Sequence, residues 1–174
     1  AEGRQTYTRW DAPPCGLLKC AADDLYSHQR EMAGAALSRR RCIWAADPGT
    51  GKTLAAQTVM EEVGGRWMWV GPKSSLVNIK REFVKFGFLG AVTLMGFEEL
   101  ANKTPSPTDY TGLIVDEAHK CKNPTAKRSK AVARFAEGVD RCVLMSGTPS
   151  PKTPLDWWSL AEIAAPGFLR ENSR

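Results

Sequence analysis

Short unbroken apolar runs alternate along this chain with longer helix-forming stretches. The runs cover residues 42–46, 67–70, 91–95, 112–115 and 141–145. They are continuous rather than alternating, the pattern of strands buried on both faces. Between them, residues 25–37, 52–63, 97–102, 125–137 and 155–164 carry helix formers with apolar residues near helical spacing. Another helix runs to Phe86, with Ser74 or Ser75 as its cap after Gly71-Pro72. Gly64-Gly65 ends one helix, and two prolines within 103–110 mark a loop. This alternation predicts an α/β fold, with a doubly wound, mainly parallel sheet covered by helices on both faces. Residues 1–24 contain Pro13-Pro14 and show no period; they read as a lead-in, and residues 25–174 as one domain.

At 174 residues the chain can bury a substantial core. Its 43% hydrophobic and 25% charged residues are ordinary for a water-soluble domain. No run is long enough to cross a bilayer and none resembles a signal peptide. The chain begins with Ala rather than Met, as an excised or processed piece would. A net charge of +5 mildly favours an anionic partner. The cysteines are odd in number: Cys15, Cys20, Cys42, Cys121 and Cys142. Cys42 and Cys142 sit in apolar runs and read as core residues. Cys15 and Cys20 lack a second Cys/His pair to complete a zinc site. The expectation is a reducing intracellular compartment, cytoplasm, nucleoid or nucleus, with no disulfide.

The chemistry begins at residues 43–53, Ile-Trp-Ala-Ala-Asp-Pro-Gly-Thr-Gly-Lys-Thr. An apolar run enters a glycine-containing turn, and Lys-Thr opens a helix. This is the layout of a phosphate-binding loop (P-loop). Gly49, Thr50 and Gly51 let the backbone curl its N–H groups inward, and the helix adds its positive end. Lys52 would reach the β- and γ-phosphates, and the Thr53 hydroxyl would ligate Mg²⁺. Ala46 stands where the strict pattern has its first glycine. The plainer alternative is a glycine-rich turn with an incidental lysine.

The second decisive stretch is Leu113-Ile114-Val115-Asp116-Glu117-Ala118-His119. An apolar strand ends in two carboxylates. Asp116 would face the Mg²⁺ opposite Thr53. Glu117 would orient or deprotonate the attacking water. Alone, Asp-Glu after a strand could be a turn; behind this loop it reads as the acidic half of an ATP site.

Asp-Glu-Ala-His (a DEAH box) together with the loop resembles a superfamily-two helicase or translocase. The surrounding motifs resemble the Swi/Snf-like DNA translocases, from about Leu25 to Leu169. Leu25-Tyr26-Ser27-His28-Gln29-Arg30 resembles the adenine-reading Q motif, which implies that Gln29 contacts the base. Pro72-Lys73-Ser74-Ser75-Leu76-Val77-Asn78 resembles the family's first DNA-contacting motif, which points to Lys73 and Ser74. Ser146-Gly147-Thr148-Pro149 resembles the motif linking ATP to DNA, and with it His119 would couple the two sites. The chain departs from the family at Ala46 and Asp47, at Ile79, and at Ser150-Pro151-Lys152-Thr153.

The resemblance implies a RecA-like P-loop NTPase fold. It also implies ATP and Mg²⁺ as cofactors, duplex DNA bound without sequence preference, and a second RecA-like lobe supplying arginines. Asp116, Glu117 and Lys52 would be the catalytic set. One lobe alone is then expected to bind nucleotide weakly and turn it over slowly. The rivals are a restriction-type or unwinding superfamily-two motor, and a standalone nucleotide- or DNA-binding module. Basic residues around 73–85 and 120–130 can also be solvated helix faces. Arg39-Arg40-Arg41 reads as a solvated helix end. His119 can be a turn histidine with a satisfied hydrogen bond. The tryptophans read as core or lobe-interface packing rather than as base-stacking platforms.

Overall fold

A computed structural model describes residues 25–148 and 155–167. In chain order the elements are α1 (Ser27–Arg39), β1 (Arg41–Ala45), α2 (Lys52–Val63), β2 (Arg66–Gly71), α3 (Lys73–Lys85) and β3 (Ala91–Gly96). They continue as α4 (Phe97–Lys103), β4 (Gly112–Val115), α5 (Lys127–Glu137), β5 (Arg141–Ser146) and α6 (Leu155–Ala164). Short 3₁₀ turns lie at Pro107–Asp109 and Ala118–Cys121. The lead-in assigned to residues 1–24, Cys15 and Cys20 with it, lies outside the described residues, as do Pro149 and the 150–153 departure.

The five strands form one sheet in the order β1-β5-β4-β2-β3, and every pairing is parallel. Helices α1, α2 and α3 pack on one face around Trp44, Trp67, Trp69 and Ile114. Helices α4, α5 and α6 pack on the other around Met68, Val70, Leu113 and Leu144. The chain winds outward over the first face from β1 to β3, then back over the second face to β5. This is the expected α/β, doubly wound sheet, here parallel throughout. The residues Trp67 to Val70 are all within 1% of full burial, which explains why their run is apolar at every position.

The punctuation has local causes. Gly51 (φ 76°) lies in the left-handed region at the start of α2, and Gly64 (φ 72°) at its end. The expected serine cap of α3 is not formed. Pro72 takes the cap position, the helix begins at Lys73, two residues before a Ser74 cap would start it, and no side chain caps it. Proline's fixed φ, here −58°, sets the chain's entry into the helix.

The arginine run also differs from expectation. Arg40 sits at φ 62° past α1 and pairs with Asp140 at 3.0 Å. Arg41 opens β1, and its guanidinium donates to four carbonyls at helix ends: Ala164 (2.7 Å), Val139 (2.9 Å), Ala136 (3.0 Å) and Ile163 (3.2 Å). It is a staple between α5 and α6, not a solvated helix end. Trp44, Trp67 and Trp69 are core residues, while Trp158 is 37% exposed. Among the described residues Cys42, Cys121 and Cys142 are free thiols. Burial pushes Cys121 and Cys142 up to about 12 and Cys42 to about 11, so these thiols stay protonated. No helix among the described residues is long and apolar enough to cross a membrane.

Candidate functional site

Parallel strands put all their C-terminal ends on one edge of the sheet, where open α/β sheets bind ligands. The loop of residues 46–51 follows β1, Gly71-Pro72 follows β2, Asp116-Glu117 follows β4 and Gly147-Thr148 follows β5. Register places Ala45 beside Ser146, and Leu144 beside Val115. β5 therefore lies between the loop strand and the acid strand. Two inter-strand spacings separate loop from acids by roughly 10 Å, room for a phosphate and a cation between them.

The loop is drawn tight by donors acting on its carbonyls. Lys52 Nζ donates to the Ala46 carbonyl (2.7 Å) and the Asp47 carbonyl (2.8 Å). Thr50 Oγ1 donates to the Asp47 carbonyl at 2.8 Å. The Thr50 carbonyl accepts from Gln29 Nε2 at 3.0 Å and faces His28 Nε2 at 2.9 Å. The held Thr50 carbonyl turns the Gly51 N–H of the same peptide the opposite way, the kind of donor an anion cradle uses, while the Thr50 N–H lies 3.4 Å from the Asp47 carbonyl. Gly49 (φ 82°) and Gly51 (φ 76°) supply the left-handed turns. Ala46 is not among the positive-φ residues. Glycine's freedom is unnecessary there, which accounts for the departure from the strict pattern.

Gln29 is 4% exposed and turned into the loop. Its Oε1 accepts the Tyr26 N–H at 3.1 Å while its Nε2 holds Thr50. A cleft of about 600 Å³ opens beside the loop, bounded by His28, Glu31, Met32, Trp44, Asp47 and Gly147 among others.

Across the sheet edge, Asp116 is mostly buried. Its Oδ1 accepts the Glu117 N–H at 3.0 Å, and its Oδ2 lies 3.5 Å from Ser75 Oγ. Burial first, and the neighbouring Glu117 second, push its carboxyl up to about 6; the Glu117 N–H, Lys52 and Ser75 pull the other way. The site thus disfavours a negative charge that a cation would restore. Thr53 and Asp116 offer oxygen donors only, the chemistry of a hard divalent ion that keeps several waters. Glu117 is one of three non-glycine residues with positive φ (51°) among the described residues. That left-handed turn ends the strand at the two carboxylates and starts the 3₁₀ turn carrying His119.

His119 joins two predicted segments. Its Nδ1 lies 3.2 Å from Glu117 Oε2 and 3.1 Å from Ser146 Oγ. Ser146 Oγ accepts the Thr148 N–H at 3.1 Å. A Cβ on Gly147 would come within 2.9 Å of Pro48, so this turn also packs against the loop. Gln29, Lys52, Asp116, Glu117, His119 and Ser146–Thr148 therefore meet at one edge. Lys73 and Ser74 are exposed at the first turn of α3, outside this hydrogen-bonded set. Two residues of the site were not predicted for these contacts. The sequence offers Ser75 as a cap and as part of the DNA-contacting segment, and His28 as part of the Q-like segment. Neither contact has a sequence signal, because the partners lie 41 and 22 residues away.

An SNF2-related domain model matches residues 91–174. The chain is 26% identical over 199 residues to the DNA excision repair protein ERCC-6-like of Danio rerio, covering 91% of this chain and 14% of that protein. It is 25% identical over 192 residues to the SWI/SNF-related matrix-associated actin-dependent regulator of chromatin subfamily A-like protein 1 of Xenopus tropicalis, covering 96% of this chain and 20% of that one. A shorter stretch of 68 residues is 37% identical to the TATA-binding protein-associated factor mot1 of Aspergillus fumigatus, covering 39% of this chain and 4% of that protein. The chain spans at most 20% of the length of these three relatives. Its fold matches the Sulfolobus solfataricus SWI2/SNF2 ATPase core in complex with dsDNA with a TM-score of 0.77 at 21% identity, over 91% of this chain and 38% of that one.

Proposed function

We propose that the chain, whose residues 91–174 match an SNF2-related domain model, is the ATP-binding lobe of a Swi/Snf-like, DNA-dependent ATPase. The observation that carries this reading is the meeting of the Lys52 loop, Asp116-Glu117 and the His119–Ser146 contact at one sheet edge. In this reading, Lys52 exchanges the Ala46 and Asp47 carbonyls for β- and γ-phosphate oxygens. Thr53 and Asp116 hold Mg²⁺, which when bound would neutralise phosphate charge. Glu117 orients the attacking water and accepts its proton, and Gln29 stands on the base side of the loop. His119 links Glu117 to the Ser146–Thr148 turn, so a change at the γ-phosphate side is felt by β5 and the segment beyond it. Lys73 and Ser74 contact duplex DNA phosphates without reading sequence. A second lobe supplies the arginines that complete the site, and ATP-driven closure of the lobes moves DNA.

Fluorescence titration with a Mg²⁺-loaded ATP analogue tests the reading on this chain. Saturable binding is expected, and Lys52→Ala should weaken it by about 10- to 100-fold, the worth of a charge-assisted hydrogen bond. Equal binding by the Lys52→Ala variant would overturn the assignment of the loop.

A further inference from the structure

We infer that His28 is a positioning residue of the phosphate loop, setting the Thr50–Gly51 peptide so that the Gly51 N–H faces the anion. This rests on the loop being a nucleotide site, as proposed above. In a planar trans peptide, C=O and N–H point in opposite directions. Whatever fixes the Thr50 carbonyl therefore fixes the Gly51 N–H. Two side chains of α1 converge on that carbonyl, His28 Nε2 at 2.9 Å and Gln29 Nε2 at 3.0 Å. Both lie on the helix side of the loop, so the Gly51 N–H turns away from α1 toward the loop's concave face. Gly51 needs this outside hold, because its left-handed φ of 76° comes from a residue with no side chain to pin it.

The two donors are not equivalent. Gln29 is buried, and its Oε1 is engaged by the Tyr26 N–H. A Cβ on Gly51 would fall on its amide, so Gln29 fills the space behind the loop. His28 is exposed and reaches the carbonyl from outside. Its ring is aligned by Tyr26, which stacks on it at 5.9 Å with an interplanar angle of 8°. The contact assigns the proton to Nε2, since a carbonyl can only accept. His28 thus adds a donor that orients the peptide without belonging to the core.

Two variants separate the donor from the ring. His28→Phe keeps the ring against Tyr26 and loses the donor; His28→Gln keeps an amide donor and loses the ring. In ¹H–¹⁵N spectra of the chain without nucleotide, the Gly51 and Lys52 amides should give single peaks in the wild type and in His28→Gln. In His28→Phe they should broaden or double as the peptide samples a second orientation. Affinity for ADP with Mg²⁺ should fall about fivefold in His28→Phe and stay within about twofold in His28→Gln, the scale of one hydrogen bond. Urea unfolding midpoints should coincide. Unchanged Gly51 and Lys52 peaks in His28→Phe would overturn the inference. A wild-type chain that binds no nucleotide would overturn the functional reading instead, and the amide peaks would still decide the role of His28.

Discussion

Ala46 and Gly51 show that two positions of one loop motif carry different physical demands. Ala46 has no positive φ, so a glycine there would add only freedom to the unfolded chain. Ala46→Gly should leave Mg²⁺·ATP affinity within about twofold and lower unfolding free energy by up to about 1 kcal/mol. Gly51→Ala is different: φ is 76°, and the new Cβ would meet the Gln29 amide. It should cost about 1–2 kcal/mol from backbone strain alone and weaken nucleotide binding at least tenfold, because the loop can relax only by moving Gly51 or Gln29. Urea unfolding and nucleotide titration on both variants measure the contrast. Equal effects would mean the loop does not discriminate these positions. The chemistry-bearing residues were legible because phosphates and Mg²⁺ demand particular groups at fixed short spacing. The burial of Gln29 and the reach of His28 and Ser75 were not, because they depend on how α1 and α3 lean on the loop.

At the scale of elements, the apolar runs of the inner strands were legible because burial on both faces leaves little room for a polar side chain, whereas the edge strands β1 and β3 are only partly buried. The boundaries moved by only one or two residues, mostly where a cap rather than a pattern decides. What the pattern concealed is Arg41. Its charge beside Arg39 and Arg40 suggested solvent, yet its partners are carbonyls 95 to 123 residues away. Helix C-termini leave carbonyls without intrahelical partners, and one planar guanidinium satisfies the ends of both α5 and α6. Ser159 adds a hydrogen bond of 2.6 Å to the Cys121 carbonyl, which ties α6 to the turn carrying His119. Arg41→Ala should therefore destabilise the domain by roughly 2–4 kcal/mol, since several half-buried carbonyls lose their donor at once. Arg41→Lys should recover less than half, because an ammonium cannot span both helix ends. Chemical denaturation would show this as a lower midpoint at unchanged slope. A loss below about 0.5 kcal/mol would reduce the staple to a surface contact.

For the whole molecule, the decisive property is that the proposed ATP site and the proposed DNA-contacting turn lie at the same sheet edge. Ser75, in the first turn of α3, lies 3.5 Å from Asp116, while Lys73 and Ser74 of that turn are exposed. Lys73, Lys80, Arg81 and Lys85 form no ion pair among the described residues, and all four are exposed. A helix start with an exposed lysine suits a phosphate, and each phosphate neutralised on duplex DNA steepens the salt dependence of binding by about 0.9 in log–log slope. In a two-lobed parent protein, Lys73→Ala should weaken duplex binding by a similar factor for every sequence and lower that slope by about one. The test is DNA affinity by anisotropy across a salt series, on two unrelated duplexes. An unchanged slope would remove Lys73 from the DNA path. Loss on one duplex alone would replace backbone contact with base readout. The same preparation bears on the motor reading. Arginines from an opposing lobe typically contribute about 10³–10⁵-fold in rate. The chain by itself should therefore hydrolyse ATP slowly and without response to DNA, whereas the two-lobed protein should be stimulated by duplex. Brisk, DNA-stimulated turnover by this chain alone would mean that its own residues complete the site.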